Sequence, residues 1–357
     1  MKIVFIVGGI SDSHIIKRVQ SFKEKGYDVE VYGFQRNVNA NNSFGNIKCH
    51  VIGQLEDQRY IGRVQTVRKA VVKVLKSYSK DTLFYVWGYD IASICYFMKR
   101  KYIYEISDIV YSYFPGPIKS VFKALDRKII ESSVVTLITS EGFVKFLNCE
   151  QKVAENKLVL MPNKLSDKFL YLERPTFKPI DGKVRFGFVG YYRYPDTVVR
   201  LARVIGEKYP NFEFHFWGIG PETILKDIKD ICISCNNVFE HGPFKNPDDL
   251  YKVYDTIDVV ACNYDYRGAN EQIAEPNKLY ESLFFNKAII VSVNTFLAEK
   301  VKSKQYGFVI DSLTDERICD FLEQLTVDEV NEIAERNSRI DGQELVEDYK
   351  SLWKRIC

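Results

Sequence analysis

The sequence predicts an α/β protein of two doubly wound domains, and three observations carry that reading. Short apolar runs alternate with helix-length amphipathic segments, the grammar of an open parallel sheet covered on both faces. The alternation stops in a Pro-containing stretch and then starts again. The chain has 357 residues, more than one ordinary core organises.

The first element is IVFIVG, residues 3 to 8, a continuous apolar run closed by Gly8 and Gly9. A helical segment, HIIKRVQSFKEKG, follows and ends at Gly26, and DVEVYGF supplies the next strand. TLFYVWG, YIYEI and VVTLITS read as further strands, and KLVLMPN as the last strand of this half. The expected first domain is 1–170. Pro175, Pro179 and Gly182 fall where the period is lost, which sets a linker at 171–183. RFGFVGYY restarts the pattern, VVRLARVIGEKYP gives its helix, and FEFHFWGIG, VFEHGPF, DVVACNY and AIIVSV follow as strands, filling 184–340. GQELVEDYKSLWKRIC places Leu345, Tyr349 and Leu352 on one side, so 341–357 is expected to be one closing helix.

Composition narrows the partners. Hydrophobic residues make up 46% and the net charge is +3, too small to imply nucleic acid. MKIVFIVGGISDSH has no cleavage-site pattern, and no run reaches the roughly 18 apolar residues of a membrane span, so a cytoplasmic protein is expected. The eight cysteines are scattered and read as reduced thiols. Cys232 and Cys235 form a C-x-x-C with no second pair or His cluster, less than zinc requires.

AEPNKLYES, residues 274 to 282, is an unusual charged entry to an apolar strand. Glu275, Lys278 and Glu281 recur every three residues along one side of a helix whose first turn accommodates Pro276. In a doubly wound sheet, ligands sit at the carboxyl ends of the strands near helix N-termini, so two such domains predict a central cleft and a phosphate-bearing ligand.

The ordered set GFVGYYR, FWGIGPE, HGPFKNPDDLYKVYDTIDVV and EPNKLYESLFFNKAIIVS resembles the carboxyl half of GT-B glycosyltransferases, glycosyltransferase family 4 in particular. GGISDSH, YVWGYDIAS, YEISDI, LITSEGF and LVLMPN extend the resemblance over nearly the whole chain. It implies a retaining hexosyltransferase of bacterial surface polysaccharide assembly (capsule or exopolysaccharide), taking a nucleotide diphosphate sugar and a lipid-linked or glycan acceptor. Glu281 resembles the second acid of the family's E-x7-E motif, which binds the donor ribose. Eight places earlier stands Ile273, with Glu271 and Glu275 on either side. Arg193 and Lys278 resemble the cations that hold the diphosphate, and Gly190, Gly218, Phe244 and Leu279 complete the expected donor site. Asp108 remains from a His-Asp pair whose His is Ser107 here. Asp108, Arg193 and Lys278 are therefore the expected catalytic residues. Gly9, Ser13 and His14 are expected to meet the acceptor, with Ser13 either capping the helix or facing the cleft. No D-x-D stands at a strand end, so neither a metal nor another cofactor is expected. The same fold also hosts sugar-nucleotide epimerases, and a relative without catalysis would bind sugar or lipid alone.

A basic stretch suggests where the acceptor comes from. Residues 61–80 hold Arg63, Arg68, Lys69, Lys73, Lys76 and Lys80 and no acid, with valines at helical spacing opposite. Tyr113, Phe114 and Phe122 stand near Lys119 and Lys123. Together they predict peripheral contact with the anionic inner face of the membrane.

Overall fold

A computed structural model describes residues 1–10, 12–36, 44, 46–55, 60–151 and 153–356. The chain forms two compact units, Met1–Pro162 with Asp348–Cys357, and Asn163–Glu347.

The first unit is a seven-stranded parallel sheet of β1 (Lys2–Val7), β2 (Asp28–Arg36), β3 (Lys48–Leu55), β4 (Leu83–Trp87), β5 (Lys101–Ile106), β6 (Val135–Ile138) and β7 (Leu158–Leu160). Its order is β3-β2-β1-β4-β5-β6-β7, so the chain reverses direction between β1 and β4. β1 lies near the middle, which is why Ile3 to Val7 are wholly buried. Helix Ser13–Glu24 packs Ile15, Val19 and Phe22 onto that sheet, where Phe22 meets Phe5 and Tyr85 edge-on. The cap is Asp12, whose side chain accepts the His14 N–H; Ser13 is the first helical residue, and its side chain lies outside the described residues.

The second unit is a six-stranded parallel sheet, β8 (Val184–Tyr191), β9 (Phe212–Ile219), β10 (Val238–Glu240), β11 (Val259–Cys262), β12 (Ala288–Ser292) and β13 (Gly307–Ile310), in the order β10-β9-β8-β11-β12-β13. The reversal falls between β8 and β11, the place where such sheets bind nucleotides. The Pro-containing stretch belongs to this unit. Arg174 explains the attachment, since its guanidinium donates to the carbonyls of Leu283, Phe284, Asn337 and Ile340. Phe169 adds an edge-on contact with Phe284.

The expected closing helix is two helices. Gly342–Leu345 stays with the second unit, and Lys350–Ile356 returns to the first. The interruption comes from a strand-like bridge, in which Leu165 N–H donates to Leu345 O at 3.0 Å and Glu347 N–H to Leu165 O at 2.9 Å. Those bonds compete with helix continuation over Val346 and Glu347.

The basic segment forms helix Tyr60–Lys76. Val67, Val71, Val74 and Leu75 are core residues, whereas Arg68, Lys69, Lys73 and Lys76 are exposed. Most of the apolar stripe is thus spent on the protein's own core, while Val64 stands 42% exposed beside the outward charges. The side chain of Arg63 lies outside the described residues. Among the described residues no helix is long and apolar enough to cross a membrane.

Candidate functional site

At the carboxyl end of the second sheet, β8 and β9 run side by side with Gly190 opposite Gly218. Both glycines have positive φ, 135° and 149°. A Cβ at Gly218 would stand 1.7 Å from Gly190 O, so no other residue fits there. A Cβ at Gly190 would stand 3.6 Å from Lys278 Cε. The two glycines therefore bring bare backbone and the lysine stem together at the strand ends. The exposed Arg193 follows β8, with its guanidinium 5.3 Å from the Tyr191 ring centroid. Tyr194, at φ 62°, stacks on Tyr264 at 4.6 Å and donates to Glu271 Oε1 at 3.3 Å.

The charges of AEPNKLYES lie inside the protein. Helix Asn277–Phe284 starts after Pro276, which is the N-cap rather than a first-turn residue, and Lys278 to Phe284 are all buried. Glu281 is 2% exposed. Its Oε2 accepts from Lys278 Nζ and from Tyr254 Oη, both at 2.6 Å, and its Oε1 accepts from Asn277 Nδ2 at 2.7 Å. Burial, and next the Glu281 charge, push the Tyr254 phenol well above its ordinary value, so it stays a donor. Glu275 lies outside the helix and is not on the Lys278–Glu281 side. It is committed to Tyr280 Oη and to Lys300 Nζ, the latter at 2.8 Å. Leu279 is fully buried in the core, which removes its side chain from any ligand contact. Phe244 packs half-buried against the same core.

The carboxyl end of the first sheet assembles a second group. Gly9 is buried in the turn after β1, and His14 opens the next helix. His14 Nε2 lies 2.6 Å from Glu105 Oε1, on β5. Glu105 is completely buried, and Arg18, equally buried, reaches the same oxygen at 3.3 Å through Nε and Nη2. Tyr85 Oη donates to Glu105 Oε2, and Tyr349 Oη accepts from Arg18 Nη1 at 3.2 Å. Burial alone would raise the Glu105 carboxyl. The Arg18 and His14 charges and the hydrogen bonds override it and hold the group well below the carboxylate range. Trp87 ends β4 and donates from Nε1 to Ser107 Oγ at 2.8 Å, while Asp108 is exposed just beyond. Ser107 thus fixes an indole.

Sequence reasoning missed Glu105 and Arg18. The signals were an acid inside the apolar run YIYEI and an arginine on the stripe of Ile15, Val19 and Phe22. Their pairing spans 87 positions, which no local pattern encodes.

The second unit also holds a cavity of about 1230 Å³, lined by Arg185, Asp258 and Lys287 among others, at the amino ends of its strands. That end lacks the glycine turns and is not the expected nucleotide end. Among the described residues no group of three or more His, Cys, Asp and Glu could hold a metal, and Cys232 and Cys235 are free thiols.

No protein-family model and no curated protein matches the sequence. Solved structures do match. A sucrose-phosphate synthase from Thermosynechococcus elongatus superposes with a TM-score of 0.72 at 10% identity, covering 100% of this chain and 97% of the other. The Anabaena protein HepE, in complex with UDP and glucose, gives 0.69 at 14% identity over 100% and 98%. WaaG, a glycosyltransferase involved in lipopolysaccharide biosynthesis, gives 0.67 at 12% over 96% and 97%. The fold is therefore the GT-B fold of two-domain glycosyltransferases, matched over the whole chain.

Proposed function

We propose that this chain is a glycosyltransferase that moves a sugar from a nucleotide diphosphate sugar, a UDP-sugar in the first instance, to a lipid-linked or glycan acceptor. The observation that carries the reading is the Gly190–Gly218 pair with Lys278 beside it. Side-chain-free backbone at two strand ends, next to a cation, suits a diphosphate. HepE, which shares the fold, was solved with UDP and with UDP-glucose, and this supports the choice of uridine.

In this reading Lys278 and Arg193 take the charge that develops on the leaving diphosphate. Lys278 is now paired with Glu281, so an incoming phosphate competes with a carboxylate for it. Glu281 Oε1 takes one hydrogen bond and has capacity for another, from a ribose hydroxyl. The acid expected near position 273 is supplied by Glu271, half-buried beside Tyr194 at the end of β8, because Glu275 is committed elsewhere. Gly218 shapes the backbone, Phe244 borders the base, and Leu279 contributes packing. Gly9, Ser13, His14 and Asp108 serve the acceptor. Retention, a metal-independent reaction, a role in capsule or exopolysaccharide assembly and residence at the cytoplasmic face of the membrane follow the family resemblance. WaaG supports the surface-polysaccharide setting.

Isothermal calorimetry against UDP, GDP, CDP and ADP, with and without magnesium, tests the reading. UDP is expected to bind without metal, and Glu281→Gln to weaken it ~10- to 100-fold through the lost charged hydrogen bond. Absence of binding to all four diphosphates would overturn the proposal, and equal UDP affinity in the variant would remove Glu281 from the ribose.

A further inference from the structure

We infer that the cavity at the amino ends of the second sheet binds a phosphomonoester carried on a ring, with Lys287, Arg185 and Lys178 on the phosphate and Phe177 and Tyr251 against the ring. The site lies within the second unit, at the end of the sheet opposite Gly190 and Gly218, and it stands independently of the transferase reading.

The sequence RPTFKPI builds one wall. Pro175 and Pro179 flank Thr176, Phe177 and Lys178, and two fixed φ angles keep so short a span stiff. Both ends of the span are fastened. Tyr251 Oη donates to Glu173 O at 2.6 Å, Asn286 Nδ2 donates to Pro175 O, and Ile180 N–H donates to Asn331 Oδ1 at 2.8 Å. Arg174 adds its four bonds to carbonyls. Between this span and the strand starts lies a space of about 1230 Å³, large enough for a small molecule.

Lys287 gives the cavity its charge. It lies directly before β12, partly buried, and its Nζ makes no hydrogen bond or ion pair with a described residue. Burial pushes its ammonium below the ordinary value; Asp258 and Asp255 counter this, whereas Arg185 and Lys178 add to it. Asp258 is committed to Arg185. Its Oδ2 accepts from the Arg185 backbone N–H at 3.0 Å and from Nε at 2.9 Å, and its Oδ1 from Nη2 at 2.7 Å. Asp255 is exposed, and its carbonyl accepts from Arg185 Nη1 at 3.0 Å. Glu213 is met by Lys183 at 3.7 Å, and Glu173 and Asp181 are exposed. Around Lys287 three cations thus face two acids, and the excess charge is the one shielded from water. An ammonium held away from water without an acceptor costs stability, so packing does not account for the lysine. A bound anion would complete it.

The donors select the kind of anion. The Arg185 fork is committed to Asp258, so a second carboxylate cannot be gripped by two parallel bonds. Arg185 retains one N–H on each terminal nitrogen, beside two ammonium groups from other parts of the chain. Single donors from β8, from the span and from the residue before β12 suit the tetrahedral oxygens of a phosphate. The same cavity carries Phe177 and Tyr251, and Tyr251 stands edge-on to Phe285 with ring centroids 5.2 Å apart. Aromatic side chains in the wall suit a ring as the body of the ligand.

Isothermal calorimetry on the full chain tests the site with phenyl phosphate, inorganic phosphate and benzoate, each with and without UDP. Phenyl phosphate is expected to bind, and UDP to leave its affinity within about twofold, because the two ends of the sheet are separate sites. Inorganic phosphate, which lacks the ring, is expected to bind ~10-fold more weakly. Benzoate, which lacks the tetrahedral oxygens, is expected to lose about as much. Lys287→Gln is expected to weaken phenyl phosphate ~10- to 100-fold through the lost charged hydrogen bond. Its melting temperature should equal or exceed the parent's, since the amide removes a shielded charge. Lys178→Gln, at an exposed position where folding is not at stake, is expected to weaken binding about threefold. No heat with phenyl phosphate, or parent-like affinity in Lys287→Gln, would overturn the site. Displacement by UDP would put the phosphate at the donor end and overturn it equally. Benzoate binding as tightly would defeat the phosphate assignment, and inorganic phosphate binding as tightly would defeat the ring. A parent that does not bind UDP defeats the transferase reading alone, and the Lys287 comparison still decides this site.

Discussion

At the scale of the single residue, the most constrained positions are the paired glycines at the ends of β8 and β9. Gly218 combines φ of 149° with a site where Cβ would strike Gly190 O at 1.7 Å. Gly218→Ala must both strain its own backbone and push the two strands apart. It is expected to cost the second unit on the order of 3 kcal/mol and to abolish UDP binding. Thermal melting and calorimetry check this, and an alanine variant with parent stability and affinity would refute it. By contrast Gly190→Ala meets a flexible lysine stem at 3.6 Å, so its strain is that of the positive φ alone. Burial explains why Glu281 could be singled out from sequence but its partners could not. PNKLYE placed the acid on the helix, but Tyr254 reaches it from a helix 27 positions earlier.

Elements show a pH dependence and a surface that can each be tested. On β9 and just beyond β10, His215 Nδ1 and His241 Nε2 lie 2.9 Å apart, within hydrogen-bond distance. Burial, and next the other imidazole, lower the His215 value; burial also lowers that of His241. Glu213 at 3.4 Å and Glu240 favour the charged forms, whereas Arg185 and Lys252 oppose them. A histidine value depressed in the fold means that the unfolded chain binds more protons below about 6.5. The pair's contribution to stability is thus present above that pH and lost as pH falls. His215→Phe, which keeps the ring contact with Phe239, is expected to lessen the fall in melting temperature between pH 7.5 and 5.5. An unchanged pH slope would contradict this. On helix Tyr60–Lys76, removing the charges of Arg68, Lys69 and Lys73 is expected to reduce sedimentation with anionic liposomes, each charge contributing ~1 kcal/mol near the surface. Equal sedimentation of variant and parent would end the membrane reading. The helix was legible from its period, and all but Val64 of the valines that suggested peripheral membrane contact are core, because one stripe cannot face both sheet and lipid. Strands were legible where burial is continuous, as in IVFIV and VVACN. β3 escaped because it is an edge strand whose first residues are exposed, so KCHVIGQL carries no apolar run. β13 escaped because four residues beginning with Gly307 give no period.

For the molecule as a whole, the consequential feature is that the last residues return from the second unit to the first. Tyr349, Leu352, Trp353 and Ile356 pack into the core of the first unit, with Trp353 edge-on to Phe22 at 4.8 Å and stacked on Tyr349 at 5.3 Å. The amphipathic pattern of the final segment was readable, but not the unit it serves, since that depends on a bridge to Leu165 far away in sequence. Tyr349 is also the outer end of the line through Arg18 and Glu105 to His14. Deleting residues 348–357 therefore removes two buried aliphatic side chains and an aromatic pair, on the order of 5 kcal/mol from the first unit alone. The expected result is a calorimetric melt in which one transition moves down and the other holds. UDP affinity, which the proposed function places in the second unit, is expected to survive. A deletion that lowers UDP affinity would show that the segment serves the donor end instead. Substituting Tyr349→Phe separates the two contributions, because it keeps the ring against Arg18 and Trp353 and removes the hydroxyl alone. Its melt should match the parent within about 1 kcal/mol, the usual worth of one hydrogen bond, and a loss as large as the deletion's would show that the hydroxyl rather than the packing holds the segment.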